Sequence, residues 1–383
     1  MSDLETIVDF GYKNLRLAVF NLASKNIYYS EQKINDNIEK SLNILVKDAE
    51  KYFSSHIDNV VVMYDSPKFY VLDICIRKVF DQSISIKKVY DNLIEEAQFF
   101  VSQNNFKDKI IHSVINNIIV DKDKHLDKIT DDFKIKSLTL EIKFICLSKI
   151  IIDNLFNKFK KNNLNILNLY CSSYLKATYY KKKLNKSDYF IFLDMGFERT
   201  SGYIFNNNKF EYFNSIPLGG NNITKDISKV LKLSSDYSEE LKINFNKAEK
   251  DVQFNKTDFN KINLYREIID KNISTELLKK IIEARVDEIM ELLVFKSYYI
   301  KSLNSIAKPK LIVNGGGSQL FSNTYNKCIK NLISKIIILN KNDLNIYEIV
   351  TDYHKSDENF LNKIKKNTKK TGIFEAFFNL FSK

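Results

Sequence analysis

Two stretches of the chain alternate apolar and polar residues in the same way. Residues 7–21 read IVDFGYKNLRLAVFN and residues 192–206 read FLDMGFERTSGYIFN. In register, Asp9 falls on Asp194, Gly11 on Gly196, Phe20 on Phe205 and Asn21 on Asn206, with Tyr12 on Phe197. Each stretch predicts a strand, a tight turn and a second strand. One hairpin is therefore expected twice, in two related α/β units. Between the copies, IKKVYDNLIEEAQFFVSQ places Val89, Leu93, Ala97, Phe100 and Val101 on one helical face. IIHSVINNIIV and SLTLEIKFICL predict Ile-rich strands, and SKIIIDNLFNKFKK an amphipathic helix.

At 383 residues the chain is long for a single core, so two or more domains are expected. With 44% hydrophobic and 28% charged residues it has the composition of a globular protein. No run of apolar residues is long enough to predict a transmembrane helix, and MSDLETIVDF lacks the basic start of a secretory signal. Cys75, Cys146, Cys171 and Cys328 are scattered, as are the four histidines, which predicts a cytoplasmic protein without disulfides or a His/Cys metal site. The net charge of +12 comes from lysines spread along the chain among Asp and Glu, not from one basic face, so nucleic acid is not an expected partner.

Glycine is rationed. Of nine, eight fall in four short stretches that follow or adjoin strand-like segments: IVDFGYKN, FLDMGFERTSGY, IPLGGNNITKDI and LIVNGGGSQLF. Glycine is needed where φ is positive or where a backbone or ligand approaches closely. Each stretch alone is an ordinary turn; the four together suggest loops around phosphates, whose charge suits exposed N–H groups and a helix N-terminus.

Two Asp-x-Gly hairpins and a later VNGGGSQL resemble the two phosphate loops and the adenosine loop of the actin-like ATPase superfamily. Within it the chain most resembles FtsA, the cell-division actin homologue. SIPLGGNNITKDISKVLKLSSDYSEELKINF resembles the segment after the second phosphate loop. IIEARVDEIMELL resembles the helix beside the adenine, and LNLYCSSYLKATYY the connecting strand and helix. The resemblance implies a two-lobed, duplicated ribonuclease-H-like α/β fold with an inserted α+β domain and a C-terminal amphipathic helix. The expected first lobe is residues 1–76 and 149–187, with the insertion at 77–148. The second lobe takes 188–221 and 291–355, its smaller subdomain 222–290, and a linker (356–371) leads to the terminal helix (372–383). It also implies ATP or ADP as ligand, held by Asp9, Gly11, Lys13, Asp194, Gly196, Thr200, Gly219, Gly220, Asn221, Glu283, Arg285, Gly315, Gly316 and Gly317. Asp9 and Asp194 would hold Mg²⁺ through water.

The sequence departs from that family at the phosphates. Tyr12 stands where a small hydroxyl residue is usual, leaving Lys13 as phosphate counter-charge. The second loop reads Gly196-Phe197-Glu198-Arg199-Thr200-Ser201 in place of Gly-Gly-Gly-Thr-Thr-Asp. Phe197 removes the close backbone approach and Glu198 would repel a γ-phosphate, unless Arg199 points inward. Cys171 and Ser172 fall where a Glu-Pro pair would orient the attacking water. Asp9 and Asp194 could instead serve only to cap the hairpin turns. Little or no hydrolysis is expected, with bound nucleotide as a structural ligand.

The chain ends KIKKNTKKTGIFEAFFNLFSK. At 100° per residue Ile373, Phe374, Phe377, Phe378, Leu380 and Phe381 share one face, preceded by Lys363, Lys365, Lys366, Lys369 and Lys370. This predicts an interfacial helix on anionic lipid, with Lys366, Lys369 and Lys370 facing headgroups at about 1 kcal/mol each. Docking of the helix onto its own domain is the alternative. The family resemblance adds the FtsZ C-terminal peptide as partner, self-association into filaments, division proteins on the inserted domain, and a place at the inner face of the cytoplasmic membrane. Rival readings are a pilus-assembly scaffold of the PilM type and an active ATP-dependent enzyme of the same superfamily.

Overall fold

A strand buried on both faces reads as a continuous apolar run, because its alternate side chains enter two different cores. The computed structural model describes residues 4–21, 25–34, 37–121, 124–184, 189–207, 209–250, 274–296, 308–322, 333–339 and 345–356. In the first lobe β1 (Leu4–Phe10), β2 (Asn14–Asn21) and β3 (Lys25–Lys33) form an antiparallel meander, followed by α1 (Ile38–Phe53) and β4 (Asn59–Tyr64). An excursion of four strands and a helix follows: β5 (Tyr70–Ser85), α2 (Ile86–Asn104), β6 (Asp108–Val120), β7 (Lys124–Leu126) and β8 (Lys134–Ser148). The chain returns through α3 (Lys149–Lys160), β9 (Asn165–Cys171) and α4 (Ser172–Lys182). The first sheet has the order β3-β2-β1-β4-β9.

The second lobe repeats this path. It runs β10 (Phe190–Met195), β11 (Thr200–Asn206), β12 (Lys209–Ile216), α5 (Gly220–Leu231), α6 (Ser235–Lys250) and α7 (Thr275–Met290), which continues as a π-helical turn, Glu291–Phe295. Then come β13 (Lys310–Asn314), β14 (Lys335–Ile338) and α8 (Ile346–Ser356). The order β12-β11-β10-β13-β14 matches the first sheet strand for strand, with an antiparallel meander and then parallel strands. This is the actin-like fold, and the duplicated hairpin is its repeat.

Period-two burial places the site. Ile7 of β1, Val61 and Met63 of β4, Phe190 and Phe192 of β10 and Ile312 of β13 enter one core shared by both lobes. The intervening Val8, Val60 and Val62 face an outer core with α1, and Ile191, Leu193, Leu311 and Val313 another with α5 and α7. Asp9 continues the row of Ile7, and Asp194 that of Phe190 and Phe192. The alternation that buries the apolar side chains thus aims both acids between the lobes.

Three details differ from expectation. The third sheet, β5-β8-β6-β7, begins at Tyr70 rather than at residue 77. The helix α8, expected within the second lobe, packs on β1, β2 and α4 of the first; Tyr347 meets Phe20 at 4.3 Å and Lys182 meets Asp352 at 2.6 Å. On α2 the buried stripe is Ile86, Val89, Leu93, Ile94, Ala97 and Val101, which leaves Phe100 at its margin and exposed. Among the described residues no helix is long and apolar enough to cross a membrane.

Candidate functional site

Open α/β sheets present their sites at the carboxyl ends of the strands. Here Asp9 lies at the carboxyl end of β1, Asp65 just after β4, Cys171–Ser173 at the end of β9 and start of α4, Asp194 at the end of β10 and Asn314 at the end of β13, all but the last under 8% exposed. The side chain of Arg199, 4% exposed, lies among them. Its Nη2 donates to Asp65 Oδ2 and, at 2.8 Å, to Asp194 Oδ2; its Nη1 donates to Ser201 Oγ at 2.9 Å and to the Asp194 carbonyl at 3.2 Å. Lys176 Nζ on α4 stands 3.8 Å from Asp9 and 4.0 Å from Asp194. Three buried carboxylates face three cations, the third being Arg16 on Asp9 at 3.0 Å.

Charge and burial set the protonation states. Burial alone would raise the Asp194 carboxyl, but Lys176, Arg199 and the Asn314 amide hold it down at about 2. Asp9 also lies below the ordinary carboxylate range: burial is outweighed by Lys176, Arg16 and the Ser172 hydroxyl. Burial pushes Asp65 upward against the pull of Arg199, with Asp194 adding to the rise. Lys176 and Arg199 gain more from the acids than burial costs them, so both stay charged. Burial raises the Cys171 thiol to about 11, leaving it neutral and no nucleophile.

The loops close on each other. Gly11 N–H donates to Asn14 and Gly196 N–H to Arg199, which completes the two hairpin turns through backbone; Asp9 takes no part in its turn. A Cβ on Gly219 would lie 2.6 Å from the Phe197 carbonyl. That closeness lets the first N–H groups of α5, from Gly220 and Asn221, donate to the carbonyls of Gly196 and Phe197 at 2.9 and 2.8 Å. Gly315, at φ +95°, lets Gly317 N–H reach the Met195 carbonyl at 3.1 Å. Among the described glycines, only at Gly316 would an added Cβ meet nothing within 4 Å. Most of these glycines make room for neighbouring backbone.

Other expected residues are tied elsewhere. Lys13 bonds Glu239 of α6 across the lobes at 2.8 Å and lies 4.9 Å over the Phe197 ring. Glu198 accepts from Asn221 at 2.6 Å, and Thr200 donates to the Leu218 carbonyl at 2.7 Å. Arg285 forks onto Asp226 of α5 at 2.7 and 2.9 Å, joining α7 to α5, and Glu283 lies about 200° round α7 from it. The tail residues Lys366 to Phe381 lie outside the described residues. Asp65, Lys176, Ser173, Tyr203 and His112 went unmarked in the sequence. For Asp65 a signal existed, since it ends the apolar run NVVVMY and shares the face of Val61 and Met63; Lys176 sits one helical turn beyond Ser172.

Comparison with known proteins bears on this arrangement. The family described as Cell division protein FtsA matches residues 191–356, the second lobe. FtsA of Bacillus subtilis is 28% identical over 193 residues, 50% of this chain and 43% of that protein. FtsA of Streptococcus pneumoniae is 31% identical over 99 residues, 26% of this chain and 21% of that protein. Over these stretches the chain is similar to FtsA. The matched stretches span less than half the length of those relatives. Among solved structures, one of a PilM-PilN type IV pilus biogenesis complex aligns with TM-score 0.59 over 91% of this chain and 94% of that one. Spiroplasma citri MreB5 bound to ADP aligns with 0.50 over 97% and 99%. Both are 11% identical and share the fold.

A magnesium ion does not fit the residues of this cleft. Asp9 spends Oδ1 on Ser172 at 2.9 Å and Oδ2 on Arg16; Asp194 spends Oδ1 on Asn314 at 2.6 Å and Oδ2 on Arg199. Among the described residues no group of three or more His, Cys, Asp or Glu is arranged to hold a metal.

Proposed function

We propose that the chain is a membrane-tethered, actin-like cell-division scaffold that anchors the FtsZ ring to the inner face of the cytoplasmic membrane. The match of its second lobe to FtsA carries this reading. Two features support it. The tail pattern Ile373 to Phe381 behind a lysine-rich linker is that of an interfacial helix, and among the described residues the cleft acids Asp9, Asp65 and Asp194 are each taken up by hydrogen bonds rather than free to direct water at a phosphate. The smaller subdomain of the second lobe would take the FtsZ C-terminal peptide, while filaments would multiply the weak lipid affinity of each tail.

Liposome co-sedimentation tests it, comparing the whole protein with a version ending at Lys370, each with a fluorescent FtsZ C-terminal peptide. The whole protein should pellet with anionic vesicles and carry the peptide down; the shortened one should bind peptide and stay in solution. Failure of both to bind peptide would remove the division reading. The full-length likeness to the pilus PilM-PilN complex favours one alternative, a PilM-type scaffold. PilN bound in place of the FtsZ peptide would establish it.

A further inference from the structure

The two lobes are already joined through the centre of the cleft. Asp65 of the first lobe meets Arg199 of the second, and Lys176 of the first meets Asp194 of the second. Ser173 Oγ donates to Asp65 at 2.7 Å and lies 2.8 Å from Tyr203 Oη, again across the lobes. At the rim Lys13 spans to Glu239.

We infer that Arg199, with Lys176, stands in for the magnesium ion and holds the lobes closed with no nucleotide between them. Three arguments converge. The guanidinium bonds acids from both lobes, and Lys176 lies between Asp9 and Asp194, the acids of the two hairpins, which is the bridging role of a cation. The three carboxylates and three cations cancel, so an entering divalent ion would have to break a buried, hydrogen-bonded pair. The first N–H groups of α5 are spent on the Gly196 and Phe197 carbonyls, so that helix start offers no cradle to an anion. Glu198 and Phe197 fit this scheme: one accepts from Asn221, the other lies under Lys13, and neither faces a ligand. The closure holds whether the chain serves division or pilus assembly.

Titration of the whole protein with ATP and with ADP, each with and without magnesium, tests it. The wild type should show no magnesium-dependent binding up to about 1 mM. The paired change Asp65→Asn with Arg199→Gln removes the bridge without leaving a lone charge, and should gain magnesium-dependent ATP binding by about tenfold or more. Magnesium-dependent binding by the wild type overturns the inference, as does a folded pair variant with no gain. Hydrogen exchange of the wild type gives an answer even if the pair variant does not fold. Amides of β11 and the start of α4 should be protected without nucleotide and unchanged by magnesium and ATP; added protection on ATP would show that the lobes close on ligand.

Discussion

His112 of the inserted sheet accepts the backbone N–H of Cys171, at the end of β9, with Nε2 at 2.9 Å. The acceptor role fixes the tautomer, so Nδ1 carries the proton and donates to Tyr353 Oη at 2.8 Å. The ring is 2% exposed and stacks on Tyr170 at 5.6 Å. One imidazole therefore joins the inserted domain, the first lobe and α8. A second proton would set a donor against the Cys171 N–H.

That geometry predicts acid sensitivity. Burial pushes His112 down to about 3, below the ordinary histidine value. Above the unfolded value, about 6.5, neither state takes the proton and nothing is lost. Between the two values the unfolded chain binds it first, so stability falls as pH falls, by about 1.4 kcal/mol per pH unit. Urea melts at about pH 7 and about pH 5 should show a steeper loss in the wild type than in His112→Gln, whose amide can supply one acceptor and one donor. Equal slopes would assign the acid sensitivity to another group.

The glycines separate into two kinds. Gly315→Ala forces a side chain into positive φ and against the Met195 carbonyl, 2.2 Å from its Cβ. Gly219→Ala meets the Phe197 and Gly196 carbonyls within 2.7 Å. Each should cost about 2 kcal/mol or more. Gly316→Ala, with open space around it, should stay within about 0.5 kcal/mol. Thermal melts of the three variants check this ordering.

The Arg199 bridge is measurable apart from any ligand. Arg199→Gln leaves two buried carboxylates short of a cation and should cost about 3–5 kcal/mol. Combined with Asp65→Asn, the loss should be smaller than the sum of the single changes, by about 1 kcal/mol or more. Denaturant unfolding of the four proteins gives the coupling energy, and a value near zero would mean that the contact stabilises nothing.

Asn116 of β6 donates to the Phe210 carbonyl at 2.8 Å and accepts the Phe210 N–H at 2.9 Å, bonding the inserted sheet to β12 of the second lobe. Asn116→Ala should cost about 1–3 kcal/mol. Amide exchange at Phe210 should rise more than at Phe205 on the neighbouring strand. Uniform change across the lobe would point to global destabilisation instead.

The repeat was legible in the sequence because it is written in period-two burial: Ile7 and Asp9, Phe192 and Asp194, follow the same strand geometry. The hairpin glycines were legible for the same local reason. What they adjoin was not. Glycine permits close approach without saying whether backbone or phosphate approaches, and here Met195, Gly196 and Phe197 fill most of that space. The direction of Arg199 was undecidable too, because its partner Asp65 lies 134 residues away and is brought near only by lobe packing. Arg285 was expected near an adenine on resemblance alone, and the helix pairing with Asp226 claims it. His112 left no trace, since its partners Cys171 and Tyr353 come from two distant segments.

One stretch of β6 ties the inserted sheet to both lobes. His112 grips the first lobe and Asn116 the second, four residues apart, which is about 13 Å of extended chain. A hinge rotation of one lobe against the other would have to stretch or shear that span. The strand is thus a tie-rod across the hinge, and a protein pulling on the far end of the inserted domain would load the cleft mechanically.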